Sequence, residues 1–580
     1  MRRFIDNPAN LLSWQQWKRA VLQIDEPVLL AAMGIPVGLF SGLAAVFLNR
    51  SIQRVSLFLR PVWEHWYALL LPAIGAVLSV FVLRVVFRED GEHGVPSVIY
   101  SISRKGGLLR LRSCVSPLFG SLFTIAFGGS AGPEAPIVVS GASIGSNIAQ
   151  LFRLNERRRV AMVGCGVAGA ISAIFNAPIA GIVFAVEVII GEWTAVHLVP
   201  IGIASVVATQ VSRILQGNQI PFEHRVFNIQ TLDLISCAGF SILLTGLSVL
   251  TCVALPAVES RMRRLFANPW LRVVAAGLVV GEIGFFFPDV LGEGYESVHR
   301  IIEQIDRPVF TAALLIALMK ILATSLTLGT GSAGGIFAPC LVIGCFAGVA
   351  YRDILAWAWP SVEWVGSGCF GLLGMAGMIS GVLHAPLTAI FLIVEITGGY
   401  EVILSLILVS VLTSALSRLF VPASVYYQGL IERGQLLRPR TDARLLADLD
   451  VMEVINRNVI PIPSNMRLRD FVDRVRNSDH KYFPVIDPTT GNFLDMISVD
   501  RIRSYLFSPE LYDVVLVEEI TDGVREWVKP DDSLIDVMKR FDRTQSWVLP
   551  VVENGKCLGI ISKASVLNQY RTELMIQASS

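Results

Sequence analysis

The chain has 580 residues, a mean hydropathy of +0.59 and 16% charged residues, whereas soluble domains carry about 25%. This composition excludes an ordinary soluble globular protein, and the net charge of +1 argues against nucleic acid as the main partner. Charge is concentrated near the end: 28% of the residues from Thr441 to Ser580 are charged, against 13% of the first 440. We therefore predict a membrane domain over residues 1–440, followed by a soluble tail.

The first twenty residues are amphipathic, with basic residues and two tryptophans, and they lack the apolar core and cleavage site of a signal peptide. We interpret them as an interfacial helix on the cytoplasmic side, the alternative being an uncleaved lead without structure. The polar tail should lie on the same side of the membrane. This predicts an even number of crossings and two cytoplasmic termini in a multi-pass protein of the cell (inner) membrane.

Several charge-free windows reach the roughly 20 residues that a helix needs to cross a bilayer. They are 27–49, 65–83, 160–186, 234–258, 321–351 and 364–394. Glycine and proline interrupt many of these windows, which is typical of broken helices that line a cavity or pack inside protein. The eight cysteines are scattered without a C-x-x-C pair. We expect them to act as small buried hydrophobic residues, and we expect no metal site.

Two stretches that lie 208 residues apart share ten of 22 residues. They are GVAGAISAIFNAPIAGIVFAVE (Gly166–Glu187) and GMAGMISGVLHAPLTAIFLIVE (Gly374–Glu395). Two glycine-rich loops, Gly129–Gly132 and Gly331–Gly334, repeat at nearly the same offset, and each is soon followed by Ala-Pro. The membrane domain is therefore predicted to consist of two related halves, an arrangement that in transport proteins places a site between them.

Facing glycine-rich loops suit a bound anion. Glycine lets the backbone approach closely, and a helix that starts in such a loop presents unpaired N–H groups and a partial positive charge. Two loops from two halves would form an anion site without a full positive charge. The alternative is that glycine and alanine only allow tight helix packing.

Four motifs in this order resemble those of the CLC family of chloride channels and proton–chloride exchangers. They are EHGVP (Glu92–Pro96), GPEAP (Gly132–Pro136), GGIFAP (Gly334–Pro339) and SVYYQGLIERG (Ser424–Gly434). The resemblance extends over about residues 30–435. It implies an all-α membrane fold with broken helices and an inverted internal repeat.

The resemblance also implies a homodimer with one separate pore in each subunit. Glu134 corresponds to the gating glutamate, whose carboxylate would occupy an anion position until a proton releases it; the alternative is a carboxylate that caps its own helix. The Tyr426 hydroxyl would bind the anion from the cytoplasmic side, the alternative being an anchor at the lipid headgroups. The other implied anion contacts are His93, Gly94 and the backbone N–H groups of Gly335, Ile336, Phe337 and Ala338.

Three departures from the family's pattern bear on the mechanism. Ala135 replaces a glycine after the gating glutamate. His93 stands where a pore serine is common, and a protonated imidazole there would make conductance rise in acid; the alternative is a ring turned away from the pore, with a backbone N–H binding the anion. Val188 stands where exchangers carry an internal proton-transfer glutamate, and valine cannot carry a proton. Its neighbour Glu187 and the repeat partner Glu395 are predicted to be structural carboxylates bonded to backbone.

The tail contains a second duplication, KYFPVIDPTTGNFLDMIS (Lys481–Ser498) and SWVLPVVENGKCLGIIS (Ser546–Ser562). Each copy is predicted to form strand, turn and strand between two helical segments. The pair resembles CBS domains, over residues 447–507 and 513–575, so we expect a small α/β cytoplasmic unit. The resemblance implies possible adenine nucleotide contacts at Ser498, Asp500 and Ser562. Arg501 and Ser565 occupy the positions where the family's ribose-binding acid is usual, which weakens that expectation.

We predict chloride transport and favour channel-like passive conduction because of Val188, the alternative being a proton-coupled antiporter that uses Glu134. A distant alternative is a membrane-anchored nucleotide sensor with an inert pore. An enzyme that uses Glu134 and His93 as acid and base is not favoured, because no nucleophile motif or metal-ligand spacing accompanies them. No cofactor is expected to be required. The expected partners are chloride or another small anion, the lipid bilayer and a second copy of the chain.

Overall fold

A computed structural model describes residues 26–89, 94–193, 195–217, 227, 229–303, 308–434, 449–524 and 526–579. The N-terminal segment that we interpreted as an interfacial helix and the predicted anion contact His93 lie outside these residues. The chain forms two compact units, Met1–Leu436 and Leu437–Ser580.

Helices make up nearly all the regular structure described in the first unit, and they fall into two successive sets. The first set is Glu26–Trp63, Leu71–Phe81, Val95–Lys105, Ser116–Ala126, Glu134–Leu151, Glu156–Phe175, Pro178–Phe184 and Ala195–Gln216. The second set is Thr231–Leu265, Pro269–Phe286, Tyr295–Ile302, Phe310–Gly329, Phe337–Ala358, Ser367–Leu383, Pro386–Thr397, Ile403–Phe420 and Val425–Glu432. Among the described residues, nine helical spans are long and apolar enough to cross a membrane, and the predicted multi-pass all-α membrane fold is confirmed.

Three of the charge-free windows hold two helices each, as the interrupting glycine and proline residues indicate. The helix Glu156–Phe175 ends at Asn176 and the helix Ser367–Leu383 ends at His384, and both end residues adopt left-handed backbone, with φ of 55° and 57°. Alanine and then proline follow in each case. Proline starts the next helix because its fixed φ suits the first turn, where its missing N–H group would have no partner.

The two halves repeat the same close helix packing. A Cβ atom added to Gly141 would lie 2.2 Å from the carbonyl oxygen of Gly166, and one added to Gly344 would lie 2.1 Å from that of Gly374. Only glycine allows two helix backbones to approach this closely. These glycines therefore let the helix that starts in each glycine-rich loop pack closely against the next helix along the chain.

The second unit contains two strand hairpins, each between helical segments. Strands β1 (Ile462–Pro463), β2 (Tyr482–Ile486) and β3 (Phe493–Ser498) form one sheet in the order β1-β2-β3, with β1 and β2 parallel and β2 and β3 antiparallel. Strands β4 (Val548–Glu553) and β5 (Lys556–Ser562) form an antiparallel pair. The associated helices are Val451–Val454, Leu468–Arg476, Val499–Ile502, Leu534–Thr544 and Lys563–Ser579. The predicted duplication of helix, hairpin and helix is confirmed.

Buried apolar residues hold each hairpin against its preceding helix. Phe483 pairs with Ile497 across the first hairpin and contacts Phe471 of the helix Leu468–Arg476. Leu549 and Ile561 pair in the second hairpin, and they form one buried cluster with Phe541. This burial on one face of an amphipathic helix supplies the main favourable free energy of such small units.

Candidate anion site

The two glycine-rich loops meet and pair with each other inside the first unit. The amide of Gly132 donates to the carbonyl oxygen of Gly335 at 2.8 Å, and the amide of Gly335 donates to that of Gly132 at 2.7 Å, in an antiparallel bridge. Helices begin two residues later in both loops, at Glu134 and Phe337. Equivalent segments that run in opposite directions are what inverted halves require.

The sequence match pairs Gly129–Gly132 with Gly331–Gly334. The bridge aligns the two loops differently by one residue. It pairs residues 203 apart, and the second loop has one more residue between its first glycine and its helix. It also corrects one predicted contact. The amide of Gly335 is donated to Gly132, so it is not free to bind an anion.

The other predicted amides stand at the start of the helix Phe337–Ala358. Ile336 is the N-cap residue, and Phe337 and Ala338 follow it. Amides in a first turn have no carbonyl partner within their own helix, and Pro339 has no N–H group at all. Three amides without a partner inside their own helix therefore converge here, with the positive end of the helix dipole behind them.

Glu134 places its carboxylate at this junction, where it is 2% exposed. One carboxylate oxygen accepts a hydrogen bond from the hydroxyl of Tyr295. The other, Oε2, has no hydrogen-bond partner among the described residues. The backbone amides of Glu134 itself and of Ala338 lie near the carboxylate. The side chain thus faces the starts of both helices, where a negative charge is favourable.

Gly132 leaves the space that this carboxylate occupies. A Cβ atom at Gly132 would lie 1.9 Å from Oε2 of Glu134 and 2.8 Å from the Cβ atom of Ala338. Both distances are shorter than van der Waals contact, so any larger residue would displace the carboxylate or the second helix.

Tyr426 approaches the same junction from the short helix Val425–Glu432. Its side chain is 6% exposed and belongs to the same buried cluster as Ile336 and Phe337. A buried phenol does not fit the alternative of an anchor at the lipid headgroups. The helix Val95–Lys105, whose N-cap residue is Gly94, packs against both this helix and Glu134–Leu151.

Three residues of the site were not predicted: Glu293, Tyr295 and Lys320. Glu293 and Tyr295 line a cavity of about 330 Å³ together with Pro133, which precedes Glu134. Lys320 is fully buried within the span Phe310–Gly329. The sequence did contain a sign of Lys320, because a lone lysine inside an apolar span is by default a candidate functional residue.

Each of the two repeat carboxylates binds the start of a helix in the other half. Glu187 accepts hydrogen bonds from the backbone N–H groups of Leu387 and Thr388 at 3.1 and 2.7 Å, and from the Thr388 hydroxyl at 2.7 Å. Glu395 accepts from the backbone N–H groups of Ile179 and Ala180 at 2.9 and 2.8 Å. Each carboxylate therefore satisfies the first turn of the other half's helix, and the prediction that both are structural is confirmed.

Val188 lies in a π-helical turn, Ala185–Ile190, and is 2% exposed. Its carbonyl oxygen accepts a hydrogen bond from the hydroxyl of Tyr427 at 2.8 Å. Val188 therefore contacts the residue after Tyr426 through its backbone carbonyl, and its side chain carries no group that could hold a proton.

In the tail, the predicted nucleotide contacts have local partners. Ser498 accepts from the amide of Arg501 at 3.3 Å and donates to Asp522 at 3.0 Å. Ser562 accepts from the amide of Ser565 at 3.0 Å, and Asp500 is exposed. Both serines cap the helix that follows their strand, so nucleotide binding stays a prediction from the resemblance.

Comparisons with known proteins agree with this geometry. The ClcB voltage-gated ClC-type chloride channels of Escherichia coli strain K12 and of Shigella flexneri are each 28% identical to the chain, over 63% of its length and 87% of theirs. The crystal structure of a slow cyanobacterial Cl−/H+ antiporter has a TM-score of 0.63 at 22% identity and covers 70% of this chain and 98% of its own. That of a eukaryotic CLC transporter has a TM-score of 0.61 at 17% identity and covers 92% and 97%.

Family models match both units. The CBS domain model matches residues 451–508 and 517–571, so the tail carries a CBS pair. The model described as voltage gated chloride channel matches residues 74–418, more than half of the chain. The protein therefore belongs to the voltage-gated chloride channel family, also called CLC.

Proposed function

We propose that the protein carries chloride or another small anion across the membrane, through a pore in each subunit that Glu134 gates. One observation carries the proposal: two helix starts from two halves meet around a buried carboxylate whose Oε2 oxygen has no hydrogen-bond partner among the described residues. A carboxylate oxygen and a chloride ion accept the same kind of hydrogen bond. The side chain can therefore occupy the anion's position, and a proton that neutralises it weakens its hold on the helix starts.

Within this class we favour passive, channel-like conduction. Val188 offers no acid for a proton to leave by. The ClcB relatives are named channels, whereas the cyanobacterial structure is that of an antiporter, so proton-coupled exchange is the alternative. A homodimer in the cell (inner) membrane with both termini cytoplasmic rests on the resemblance to the family and on the polar tail.

The test is the reversal potential of purified protein in liposomes under crossed chloride and proton gradients. Passive conduction predicts a potential that follows the chloride gradient alone. A potential that also moves with the proton gradient would replace passive conduction with exchange, and an absence of chloride flux would reject anion transport altogether.

The gate is tested with Glu134→Gln, which keeps the shape of the side chain but cannot ionise. We expect chloride flux to rise at neutral pH and to lose its increase in acid, because the blocking charge is gone. Glu363→Gln is the matched control, since Glu363 is an exposed acid of the same unit that lies between the helices Phe337–Ala358 and Ser367–Leu383. Unchanged flux in E134Q would mean that the carboxylate does not gate the pore.

A further inference from the structure

A second carboxyl group and a buried ammonium lie beside the gate position. Lys320 donates hydrogen bonds to the carbonyl oxygens of Val290 and Gly292 at 2.9 and 3.0 Å. These bonds hold the ammonium against the loop that carries Glu293. The Lys320 nitrogen also lies 3.2 Å from where a Cβ atom of Gly294 would stand, so it remains close to the loop on both sides of Glu293.

Water in one cavity can reach Glu293 and Tyr295, the residue that binds the gate carboxylate. Glu293 and Tyr295 line the cavity of about 330 Å³, which is large enough for several water molecules. Tyr295 donates its hydroxyl hydrogen to Glu134, and Pro133 lines the same cavity. A proton from this water therefore meets Glu293 directly, and the Tyr295 hydroxyl connects the cavity wall to the gate carboxylate.

The charges of this cluster do not balance when both acids are ionised. Glu293 follows Gly292, whose carbonyl oxygen binds the Lys320 ammonium. Tyr295, two residues further on, binds Glu134, so one loop brings the two acids and the cation together. One buried cation can neutralise one carboxylate only, and Glu134, which is 2% exposed, is too buried to carry an uncompensated charge without cost. The cluster is neutral when the two acids together hold a single proton.

Neighbouring charged groups contact one another or face solvent. Asp289 is paired with Arg300 at 3.0 Å and also accepts from Ser297. At the cavity wall the ring of His299 contacts the carboxylate of Glu303 at 2.9 Å, a contact that becomes an ion pair when the ring is protonated. Glu296 also lines the cavity, but its side chain is exposed to solvent.

We propose that Glu134 and Glu293 share one proton opposite Lys320, and that an anion entering the site draws a second proton from cavity water onto this pair. The proposal rests on the proposed function and deepens it. The only bond that forms is O–H on a carboxylate oxygen, the proton comes from hydronium in the cavity, and it returns there when the anion leaves. Glu293 thus holds the negative charge for part of the time, which leaves Glu134 neutral and free to move.

The test is the pH profile of chloride flux in liposomes for Glu293→Gln. With Glu293 unable to ionise, the remaining negative charge must stay on Glu134 and keep the gate closed. We expect lower flux at neutral pH and a midpoint shifted to lower pH by about one unit, a tenfold change in proton concentration, as for strongly coupled acids. Glu293→Asp keeps the acid and should restore the wild-type profile.

Two further variants test whether the effect is specific to Glu293 and whether it depends on Glu134. Glu296→Gln removes a carboxylate from the same cavity and should leave the profile unchanged; an equal shift would mean that any cavity charge acts on the pore, and would overturn the proposal. In an E134Q background, E293Q should have no effect on the pH profile. Higher flux in E293Q alone would show that Glu293 only repels anions, which would also overturn it.

The proposed gate and the proposed sharing of a proton can be refuted separately. If E134Q has a flat pH profile and E293Q matches the wild type, sharing is wrong and the gate stands. If E134Q retains the wild-type profile, the proposed gate itself is wrong.

Discussion

Replacing Glu187, which binds a helix of the other half, tests how the two halves are held together. In Glu187→Gln the amide nitrogen cannot accept a hydrogen bond, so at least one of the donors on Leu387 and Thr388 loses its partner. A buried donor left unpaired costs about 1–3 kcal/mol. Losing the charge at a helix start costs about 0.3–2 kcal/mol more. We therefore expect the free energy of unfolding to fall by about 1–5 kcal/mol.

The assay is unfolding of the purified protein in detergent, followed by tryptophan fluorescence. Glu395→Gln should have a similar effect, because Glu395 accepts from two amides in the mirrored position. The exposed Glu363→Gln should change stability by less than about 0.5 kcal/mol. If E187Q were as stable as E363Q, the carboxylates would not join the halves and the reasoning would be wrong.

Three other predictions concern the gate, the anion and the tail. Gly132→Ala puts a Cβ atom 1.9 Å from Oε2 of Glu134 and should displace the carboxylate, so chloride flux at neutral pH should rise toward that of E134Q; wild-type flux would contradict this. Tyr426→Phe removes one donor worth about 1 kcal/mol, so calorimetry should record a roughly fivefold loss of chloride affinity, and unchanged affinity would remove Tyr426 from the site. In the tail, hydrogen bonds, chiefly from Thr489, lower the pKa of Asp487 to about 2. Because this pKa lies below the unfolded value of about 3.9, the stabilisation is present above the unfolded pKa and is lost as pH falls through about 2. An NMR titration of the Asp487 carboxyl checks this, and a midpoint at the unfolded value would refute it.

Much of the architecture was predictable because its signals are local. The charge-free windows, the Ala-Pro breaks after Asn176 and His384, and the repeat at 208 residues all lie in short stretches of sequence. A helix start depends on which residues in one turn can leave their N–H groups unpaired, and proline and glycine mark such places. Glu187 and Glu395 were predicted as a structural pair because they occupy matching positions in the repeat.

Several features of the site could not be read from such patterns. The bond from the Gly335 amide to Gly132 depends on how two loops 203 residues apart meet. Motif spacing gave no reason to connect Lys320 with Glu293, because 27 residues and the start of a span separate them. The free Oε2 of Glu134 is likewise a property of the assembled junction.

The sequence by itself determined that the protein spans a membrane, that its helices are broken, that it is built from two related halves and that an α/β tail follows them. Each of these follows from short stretches of sequence, either through hydropathy and backbone preference within one stretch or, for the two halves, through the match of two 22-residue stretches. Only the tertiary structure decided which amides stay free, which carboxylate lies among them and which charges surround it. Hydrogen bonding and desolvation act between side chains that folding brings together from distant segments, so their balance exists only once both halves are in place.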